Sequence, residues 1–563
     1  MLPVFYNTCW MAACHREARA YHRATGDVAQ TQARVLRRII RGNRDCWFGE
    51  QHRFAAIHNV RDFRDAVPLS NYDDYRSAVD RIARGERQVL TAESIELLEP
   101  TGGSTAGEKL IPYTASLRRS FQRAIRVWIW DLFSTRPKVR RGTAYWSISP
   151  LLAVGRTTSG GVRIGFDDDA AYLGTLEKHL VERTMAVPPA VALCPSIASC
   201  RYATLFFLLR DPRLSLISVW SPTFLTELLK SLWIDRDALC DDVGRGKIST
   251  SMGNEDGPLN AEHFTPLPSR AKELKELFRE AGDVSACVRA VWPRLSVISC
   301  WADGPSSTYA HNLSCYLDGI EIQPKGLLAT EAFVSVPLTS QPAPALAIRS
   351  HFYEFVPADS KSVQAARPLL AHELEPGARY EVVVTTQGGL YRYQLHDQIE
   401  VVGFYRDTPL LKFIGKADAT SDLVGEKLND AQVEYALRAA FEKLELRPRF
   451  AQLTADAAHA SYVLRLFDDS PGDWSMRGDR LAAIVDAGLS SNSAYRYARE
   501  LGQLQCVRVE LMQEAEADSM VTSFLTSKSE AGRRFGDIKA TTLVRSSDAI
   551  KAAGPPRNLA AND

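Results

Sequence analysis

The stretch Leu98-Glu-Pro-Thr-Gly-Gly-Ser-Thr-Ala-Gly-Glu-Lys-Leu-Ile-Pro-Tyr-Thr114 decides how this chain is interpreted. It places three glycines, four serine or threonine hydroxyls and Lys109 around a bend between two extended runs. Glycine lets a backbone turn sharply and approach a phosphate closely, and the backbone N–H groups of such a bend form an anion-binding concavity. The stretch therefore predicts a nucleotide phosphate loop, with an ordinary glycine-rich hairpin turn as the alternative.

The residues that follow the loop exclude two better-known loop types. A Walker loop needs lysine directly after the last glycine, then a hydroxyl residue and a helix, whereas Glu108 separates Gly107 from Lys109 and Leu110 follows. Pro112 favours extended chain before it. A hydrolase nucleophile elbow also needs a helix after its serine. We therefore expect the loop to join one strand to another.

Composition is that of an ordinary globular protein, with 45% hydrophobic and 24% charged residues in 563. The net charge of +1 gives no field for nucleic acid or an acidic membrane surface. No apolar run approaches the ~20 residues that span a bilayer. The ten cysteines are scattered, and no Cys-x-x-Cys or His-Glu-x-x-His spacing indicates zinc. We expect a cytoplasmic monomer that binds neither nucleic acid nor membrane.

The order of helical and strand patterns predicts an α/β fold. Residues up to Gly85 and the run 115–131 show helical patterns, and 143–148 and 215–220 resemble strands. The run 202–209 fits either a buried helix or a buried strand. Further predictions follow: loops at 253–267 and 304–311, helices over 271–292 and 480–501, a helix that Asn429 caps with Gln432, strands at 462–467 and 506–511, and a disordered tail over 546–563.

A second candidate site is Gly326-Leu-Leu-Ala-Thr-Glu331. We interpret it as a strand that ends at Thr330 and Glu331, with apolar residues on both sides. A carboxylate in apolar surroundings is costly unless it is paired, hydrogen-bonded or bound to metal. Glu331 with a neighbouring hydroxyl could hold Mg²⁺ that bridges phosphates. The alternative is a surface strand end.

The third candidate site is the densest in polar and aromatic residues. The run 380–386 predicts a strand, Gly388-Gly389 a turn, and Leu390-Tyr-Arg-Tyr-Gln394 a second strand. His396-Asp397 is expected in a bend before a further strand at 399–405. Asp397 is suited to accept hydrogen bonds from ribose hydroxyls, or else it is a turn residue that satisfies its own backbone.

Taken in order, these segments resemble the auxin-responsive acyl-acid amido synthetases, the Gretchen Hagen family of the acyl-adenylate-forming superfamily. The resemblance covers about Leu36 to Leu543. The phosphate loop of that family matches this chain at Thr101, Gly103, Ser104, Thr105, Gly107 and Lys109. Segments 326–331, 352–357, 391–397 and 422–428 are similar to other blocks of the family, and 326–331 is similar to bacterial members.

Three positions depart from the family pattern. Gly102 replaces a hydroxyl of the loop. His396 stands where glycine usually precedes the ribose-binding aspartate, so the bend there is expected to differ. Lys416 stands where the wider superfamily often has arginine, which removes a planar fork for bidentate recognition of oxygens.

The resemblance implies a fold of two domains and a tail. Residues 1–415 would form a large N-terminal domain with mixed sheets and a β-barrel-like portion that binds ATP and the acyl acid. Residues 416–545 would form a smaller, mobile α+β domain, and 546–563 the tail. Asp418 resembles the hinge between the domains. Gly536-Asp-Ile-Lys539 resembles a C-terminal segment in which Lys539 is the candidate adenylation lysine, with a solvated surface charge as the alternative.

The resemblance also implies a reaction. ATP with Mg²⁺ would adenylate a carboxylic acid, and an amine, typically of an amino acid, would displace AMP to give an amide. The loop would hold phosphates, Thr330 would contact the α-phosphate, Glu331 the metal, and Tyr391, Asp397 and Lys416 the nucleotide. The aromatic helix around Trp128 and Trp130 would line the acid pocket. A ligase that transfers the acyl group to a thiol, and a catalytically inactive ligand-binding relative, are the alternatives.

Overall fold

The structure, a computed structural model, describes most of the chain. The described residues are 2–101, 109–147, 156–166, 175–194, 196–248, 264–358, 367–417, 420–421, 423–424, 426, 428–468, 474–517, 519–520 and 542–544. These residues form two compact units. The first contains residues up to 303 and 309–413, and the second contains 304–308 and the described residues from 414 onward.

Five helices precede the first strand, as the helical patterns up to Gly85 predict. They are α1 (Leu2–Ala24), α2 (Val28–Gly42), α3 (Trp47–Gln51), α4 (Val60–Ala66) and α5 (Tyr72–Ala83), with a 3₁₀ turn at Phe54–Ala56. Asp27, Asn59 and Asn71 cap α2, α4 and α5 through their side-chain oxygens, because the first N–H groups of a helix have no partner within it.

A parallel sheet of four strands forms one part of the first unit. Its order, β3 (Thr143–Trp146), β4 (Leu214–Ser218), β5 (Val297–Cys300) and β6 (Glu321–Pro324), is the chain order. Helices connect these strands, as a parallel sheet requires. They are α8 (Thr175–Glu182), α9 (Ile197–Arg210), α10 (Pro222–Ile234), α11 (Arg236–Arg245), α12 (Pro268–Glu280), α13 (Val284–Val291) and α14 (Ser307–Ser314).

Both faces of this sheet are buried, as parallel strands generally are. Neighbouring residues of a strand enter different apolar cores, since Leu216 packs in one and Ile217 in the other. The helix α6 (Ala115–Thr135) belongs to the first core, and α7 (Pro137–Arg140) leads from it to β3. The predicted α/β architecture is therefore confirmed.

The first unit also contains a seven-stranded sheet, of which one strand continues past residue 413 to Lys416. Its order is β10 (Leu369–Leu370), β9 (Phe352–Pro357), β11 (Arg379–Thr385), β12 (Tyr393–Tyr405), β13 (Thr408–Lys416), β8 (Ala345–Leu346) and β7 (Ser335–Val336). The pairs of β9 with β10 and β11, of β11 with β12, and of β8 with β7 and β13 are antiparallel.

The second unit has an α+β arrangement. A four-stranded sheet has the order β18 (Arg508–Leu511), β17 (Ser461–Phe467), β16 (Phe450–Asp456) and β19 (Leu543–Val544). The helices α15 (Asp430–Leu444), α16 (Trp474–Leu489) and α17 (Ser493–Glu500) accompany it, and β14 (Thr420–Ser421) pairs with β15 (Leu428–Asn429). Asn429 and Gln432 form the predicted capping box of α15.

Several predictions of local structure are wrong in detail. The single helix expected over 271–292 is two, α12 and α13, because Asp283 caps a new helix at Ala286 N–H. The helix expected over 480–501 is likewise α16 and α17, since Asn492 caps the second. The loop expected at 304–311 is a 3₁₀ turn followed by α14. The ambiguous run 202–209 is helical, and the tail 546–563 lies outside the described residues.

None of the helices in the described residues combines the length and the apolar character that crossing a bilayer requires.

Candidate active site

The predicted phosphate loop joins two strands, as expected. β1 (Ile95–Thr101) and β2 (Lys109–Thr114) are antiparallel, and Thr101 lies opposite Lys109. These two strands form a two-stranded sheet, so each is an edge strand. Proline is tolerated at such a position because no third strand needs its missing N–H. The loop residues Gly103, Ser104, Thr105 and Gly107 lie outside the described residues.

Tyr72, at the start of α5, fixes the end of the loop at Lys109. Its hydroxyl accepts a hydrogen bond from Leu110 N–H at 2.8 Å, and the Lys109 ammonium lies 5.6 Å from the centre of its ring. An ammonium over an aromatic face is attracted by the ring quadrupole. Lys109 is therefore held at the mouth of the loop by a neighbouring helix.

Thr330 and Glu331 form the tip of a tight hairpin, and the prediction that they end a strand is wrong. Leu328 bridges Phe333, and Ala329 N–H donates to the Ala332 carbonyl at 3.0 Å. Glu331 is only 9% exposed. The Tyr113 hydroxyl from β2 donates to the Thr330 carbonyl at 2.5 Å, so the strand that leaves the phosphate loop contacts this tip.

Asp397 lies in a bulge within one continuous strand, rather than in a bend between two. Glu381 opposes Gln398 and Val383 opposes Gln394, so that residues 395–397 of β12 all face Val382 of β11. His396 has φ of +56°, a region that costs a residue with a Cβ roughly 1 kcal/mol and suits glycine. The bulge directs the Asp397 side chain into the interior, where it is 1% exposed.

Tyr393 connects the second and third candidate sites. Burial raises the pKa of its hydroxyl far above the ordinary value, and the charge of Glu331, the hydroxyls of Tyr72 and Tyr75 and the charge of Asp397 raise it further. Such electrostatic influence requires proximity. Glu331, Asp397 and Tyr393, which we call the carboxylate cluster, lie close enough for both carboxylate charges to act on the Tyr393 hydroxyl, and Tyr72, which also acts on it, contacts the Lys109 ammonium.

Tyr391 takes a different position from the one the sequence suggests. Its side chain is fully buried, stacks on Phe48 with ring centres 4.6 Å apart, and donates its hydroxyl to the Leu90 carbonyl at 2.8 Å. These contacts make Tyr391 part of the core. Tyr393, two residues later, is the tyrosine that faces the carboxylates. The sequence carries no signal that separates the two tyrosines, because side chains two residues apart in a strand share one face.

A buried ion network fixes the backbone at Arg392, between Tyr391 and Tyr393. Arg392 Nε donates to Glu354 Oε2 at 2.9 Å, and Arg64 Nε donates to Glu354 Oε1 at 2.8 Å. Glu354 is 1% exposed, and two arginine partners offset the cost of burying its charge. Glu354 lies in the segment 352–357, so this segment helps to fix Arg392, the residue before Tyr393.

A second group of side chains lies at the carboxyl ends of the parallel strands. The ammonium of Lys325, directly after β6, donates to Ser218 Oγ at 2.6 Å and lies 4.9 Å from the ring centre of Trp220 and 5.4 Å from that of Trp128. Trp301 contacts Trp220 with ring centres 5.7 Å apart. We call Trp128, Trp220, Trp301 and Lys325 the tryptophan edge.

The two tryptophans of α6 have different surroundings. Trp128 belongs to the tryptophan edge and donates its indole N–H to Gln323 at 2.9 Å. Trp130 instead packs on His15 of α1, with ring centres 4.5 Å apart. Residues two apart on a helix point to different sides. Of the two tryptophans expected to line the acid pocket, only Trp128 therefore lies at the tryptophan edge.

The chemistry of the carboxylate cluster fits Mg²⁺ that arrives with phosphates. Among the described residues, no three His, Cys, Asp or Glu side chains group to hold a metal by themselves. Mg²⁺ commonly uses one or two carboxylates and completes its shell with water and substrate phosphates. Glu331, with oxygen ligands only, suits that use.

Three predicted residues remain, namely Lys416, Asp418 and Lys539. Lys416 is exposed and ends β13. Asp418 and Lys539 lie outside the described residues.

Comparison with known proteins gives concordant results. The GH3 family N-terminal domain matches residues 17–322, and the GH3 family central domain matches 345–416. The probable indole-3-acetic acid-amido synthetase GH3.7 of Oryza sativa subsp. japonica is 25% identical over 94% of this chain and 92% of its own. Indole-3-acetic acid-amido synthetase GH3.3 of Arabidopsis thaliana is 22% identical, over 74% of this chain and 72% of its own.

Solved structures share the fold. AtGH3.15 acyl acid amido synthetase in complex with 2,4-DB has a TM-score of 0.81 at 20% identity, covering 96% of this chain and 95% of that one. A 2-hydroxyisobutyryl-CoA ligase in the postadenylation state has a TM-score of 0.53 at 12% identity, covering 92% and 89%. The fold is therefore that of adenylate-forming enzymes.

Proposed function

Because the chain belongs to the GH3 family, we propose that it is a ligase that adenylates a carboxylic acid with ATP and transfers the acyl group to an amine. The observation that carries the proposal is a contact between two candidate segments: Tyr113, on the strand that leaves the loop, donates its hydroxyl to the Thr330 carbonyl beside the buried Glu331. The same Tyr72 that acts on Tyr393 also holds Lys109. Lys109 and the two buried carboxylates belong to the same unit, which supports a shared site.

In the first half-reaction, a carboxylate oxygen of the acid bonds to the α-phosphorus of ATP and pyrophosphate leaves. Lys109 and the loop residues hold the phosphates, Thr330 contacts the α-phosphate, and Asp397 accepts hydrogen bonds from the ribose. Glu331 would hold Mg²⁺, which when bound neutralises phosphate charge. Most of the rate enhancement then comes from positioning and from charge stabilisation.

In the second half-reaction, an amine attacks the acyl carbonyl, the bond to the phosphate oxygen breaks, and AMP leaves. The matched relatives are named amido synthetases, which supports an amide product, and the family resemblance makes an amino acid the proposed amine. We propose that Asp418 is the hinge of a mobile C-terminal domain, 416–545, and that Lys539 and Lys416 act on the nucleotide. These roles rest on the family resemblance.

The tryptophan edge is the proposed pocket for the acid. Indole faces favour an aromatic or apolar acid by burial and ring contacts. The Lys325 ammonium, oriented by Ser218 and by two indole rings, supplies a positive charge that attracts an acid anion. Trp128 is the part of α6 that we assign to the pocket, and Trp130 is not.

We further propose a bacterial-type member of the family, on the basis of the 326–331 segment, that acts as a cytoplasmic monomer. Neither nucleic acid nor membrane is a proposed partner.

The test is pyrophosphate release with ATP and Mg²⁺ across a panel of acids, followed by mass analysis of products formed with mixed amino acids or with coenzyme A. Acid-dependent release and an amide product are expected. A product that forms only with the thiol would select the alternative ligase, and ATP binding without acid-dependent release would select an inactive relative.

A further inference from the structure

The tip that carries Thr330 and Glu331 has little support from its own hairpin. Residues 328–333 form one bridge and the turn bonds between Ala329 and Ala332. These bonds do not involve the peptide between Thr330 and Glu331, so contacts from outside the hairpin must set its orientation. We propose that Tyr113, His351 and Tyr353 form a buried clamp that positions Glu331 for the adenylation step, an inference that rests on the proposed function.

Tyr113 acts on the tip itself. The carbonyl that accepts its hydroxyl hydrogen belongs to the peptide bond between Thr330 and Glu331. That peptide is planar, so a hydrogen bond to its oxygen orients both residues at once. The Tyr113 ring is fully buried and meets Phe166 edge-on at 4.9 Å between ring centres, which leaves the hydroxyl little freedom.

His351 and Tyr353 hold the returning arm of the hairpin at Phe333. Phe333 N–H donates to His351 Nε2 at 3.2 Å, and the Tyr353 hydroxyl donates to the Phe333 carbonyl at 2.7 Å. Both side chains are fully buried. Because Nε2 is the acceptor, the proton of the neutral ring is on Nδ1.

The histidine remains an acceptor under working conditions. Burial, with the charge of Arg123, lowers the pKa of His351 to about 3. Protonation would turn Nε2 into a donor that faces the Phe333 N–H, which is also a donor. Because the pKa is about 3, His351 is not protonated near neutral pH. The clamp is therefore a constant support for the tip.

The clamp also joins the tip to the phosphate loop. Lys109 and Tyr113 lie four residues apart on β2, and side chains at even spacing share one face of a strand. One strand thus carries the lysine at the mouth of the loop and the hydroxyl that fixes the metal-binding tip.

The experiment compares Tyr113→Phe with Tyr21→Phe in the full chain. Tyr21 is also buried and also donates its hydroxyl to a backbone carbonyl, Leu346, at 2.9 Å, so both variants lose one similar bond. We expect a similar loss of thermal stability in both. Only Tyr113→Phe should lower kcat for acid-dependent pyrophosphate release, by about 10- to 100-fold, and raise the Mg²⁺ concentration needed for half-maximal rate.

A second pair of variants tests the acceptor at Phe333. His351→Gln keeps a side-chain oxygen that accepts a hydrogen bond, and it should retain more activity than His351→Leu, with a Mg²⁺ requirement nearer that of the unmodified protein. Equal loss in the two variants would contradict a role for the acceptor.

Two outcomes would overturn the clamp, and they are distinguishable. If Glu331→Ala is inactive but Tyr113→Phe has the rate and the Mg²⁺ requirement of Tyr21→Phe, the clamp is wrong and the proposed function stands. If Glu331→Ala is fully active, the assignment of the metal site fails and the clamp fails with it.

Discussion

The carboxylate cluster and the tryptophan edge belong to the same unit but are built differently. Glu331 is on a hairpin tip and Asp397 on a bulge beside a residue with φ of +56°, so irregular backbone places both carboxylates. The tryptophan edge comes from regular elements, with Lys325, Trp220 and Trp301 following parallel strands. Ligands commonly bind at such strand ends.

This difference separates two kinds of requirement. Reaction at a phosphate needs groups held within fractions of an ångström, and irregular backbone supported by buried hydrogen bonds provides that. Recognition of an acid depends on side chains that project from a regular frame. We therefore expect substitutions in the tryptophan edge to change which acid is used while the ATP chemistry is retained.

The largest expected effect is from removal of a carboxylate of the cluster. Glu331→Ala and Asp397→Ala should each lower acid-dependent pyrophosphate release by at least about 100-fold, because one would lose the metal contact and the other the ribose contact. Pyrophosphate release at saturating acid is the measurement. Asp318→Ala, at an exposed surface acid, is the control, and full activity in both cluster variants would refute the site.

A smaller effect is expected at the tryptophan edge. Trp220→Ala should raise KM for the acid by about 10- to 100-fold, the range of one buried aromatic contact, with KM for ATP unchanged. Steady-state kinetics with each substrate varied separates the two constants. Trp130→Ala removes an indole that packs on α1 instead and should leave both values unchanged. A rise in KM for ATP in Trp220→Ala would contradict the separation of the two regions.

The smallest effect concerns Asp303, two residues after Trp301. Burial raises its pKa from 3.8 to about 6, and the charge of Lys412 opposes that rise. The folded state therefore binds this proton more tightly than the unfolded state, and stability falls as pH rises from about 4 to about 6. Asp303→Asn should gain about 1–3 kcal/mol at pH 7.

The same variant should gain little at pH ~3, which lies below the pKa of the carboxyl in both the folded and the unfolded state. Chemical denaturation at the two pH values measures the difference. An equal gain at both would show that the effect does not come from titration of Asp303.

Local patterns in the sequence predicted much of the fold. Pro112 and the absence of a helix signal after Lys109 predicted a loop between strands, and β1 and β2 confirm it. Asn429 and Gln432 predicted the start of α15 correctly. The family resemblance carried by the motifs is confirmed by the two domain matches. Each of these features depends on neighbouring residues, which a sequence displays directly.

Predictions that depended on which partner a side chain meets were less successful. Tyr391 is in the core while Tyr393 faces the carboxylates, and Trp128 is at the tryptophan edge while Trp130 packs on α1. In each pair the residue types are the same and the positions are two apart. The sequence offers no local reason to prefer one, because the choice is made by the element that packs against each face.

The phosphate loop, the Thr330-Glu331 segment and the Asp397 segment were thus determined as candidates by the sequence alone, since glycine, hydroxyl and carboxylate residues at those spacings suit one chemistry. Only the tertiary structure decided that the second is a hairpin tip, that the third is a bulge, and that Tyr393 joins them. Hydrogen bonds that Tyr113 and Tyr353 donate and His351 accepts, together with the register of β11 with β12, set those positions. These contacts join residues far apart in the chain, so no local pattern encodes them.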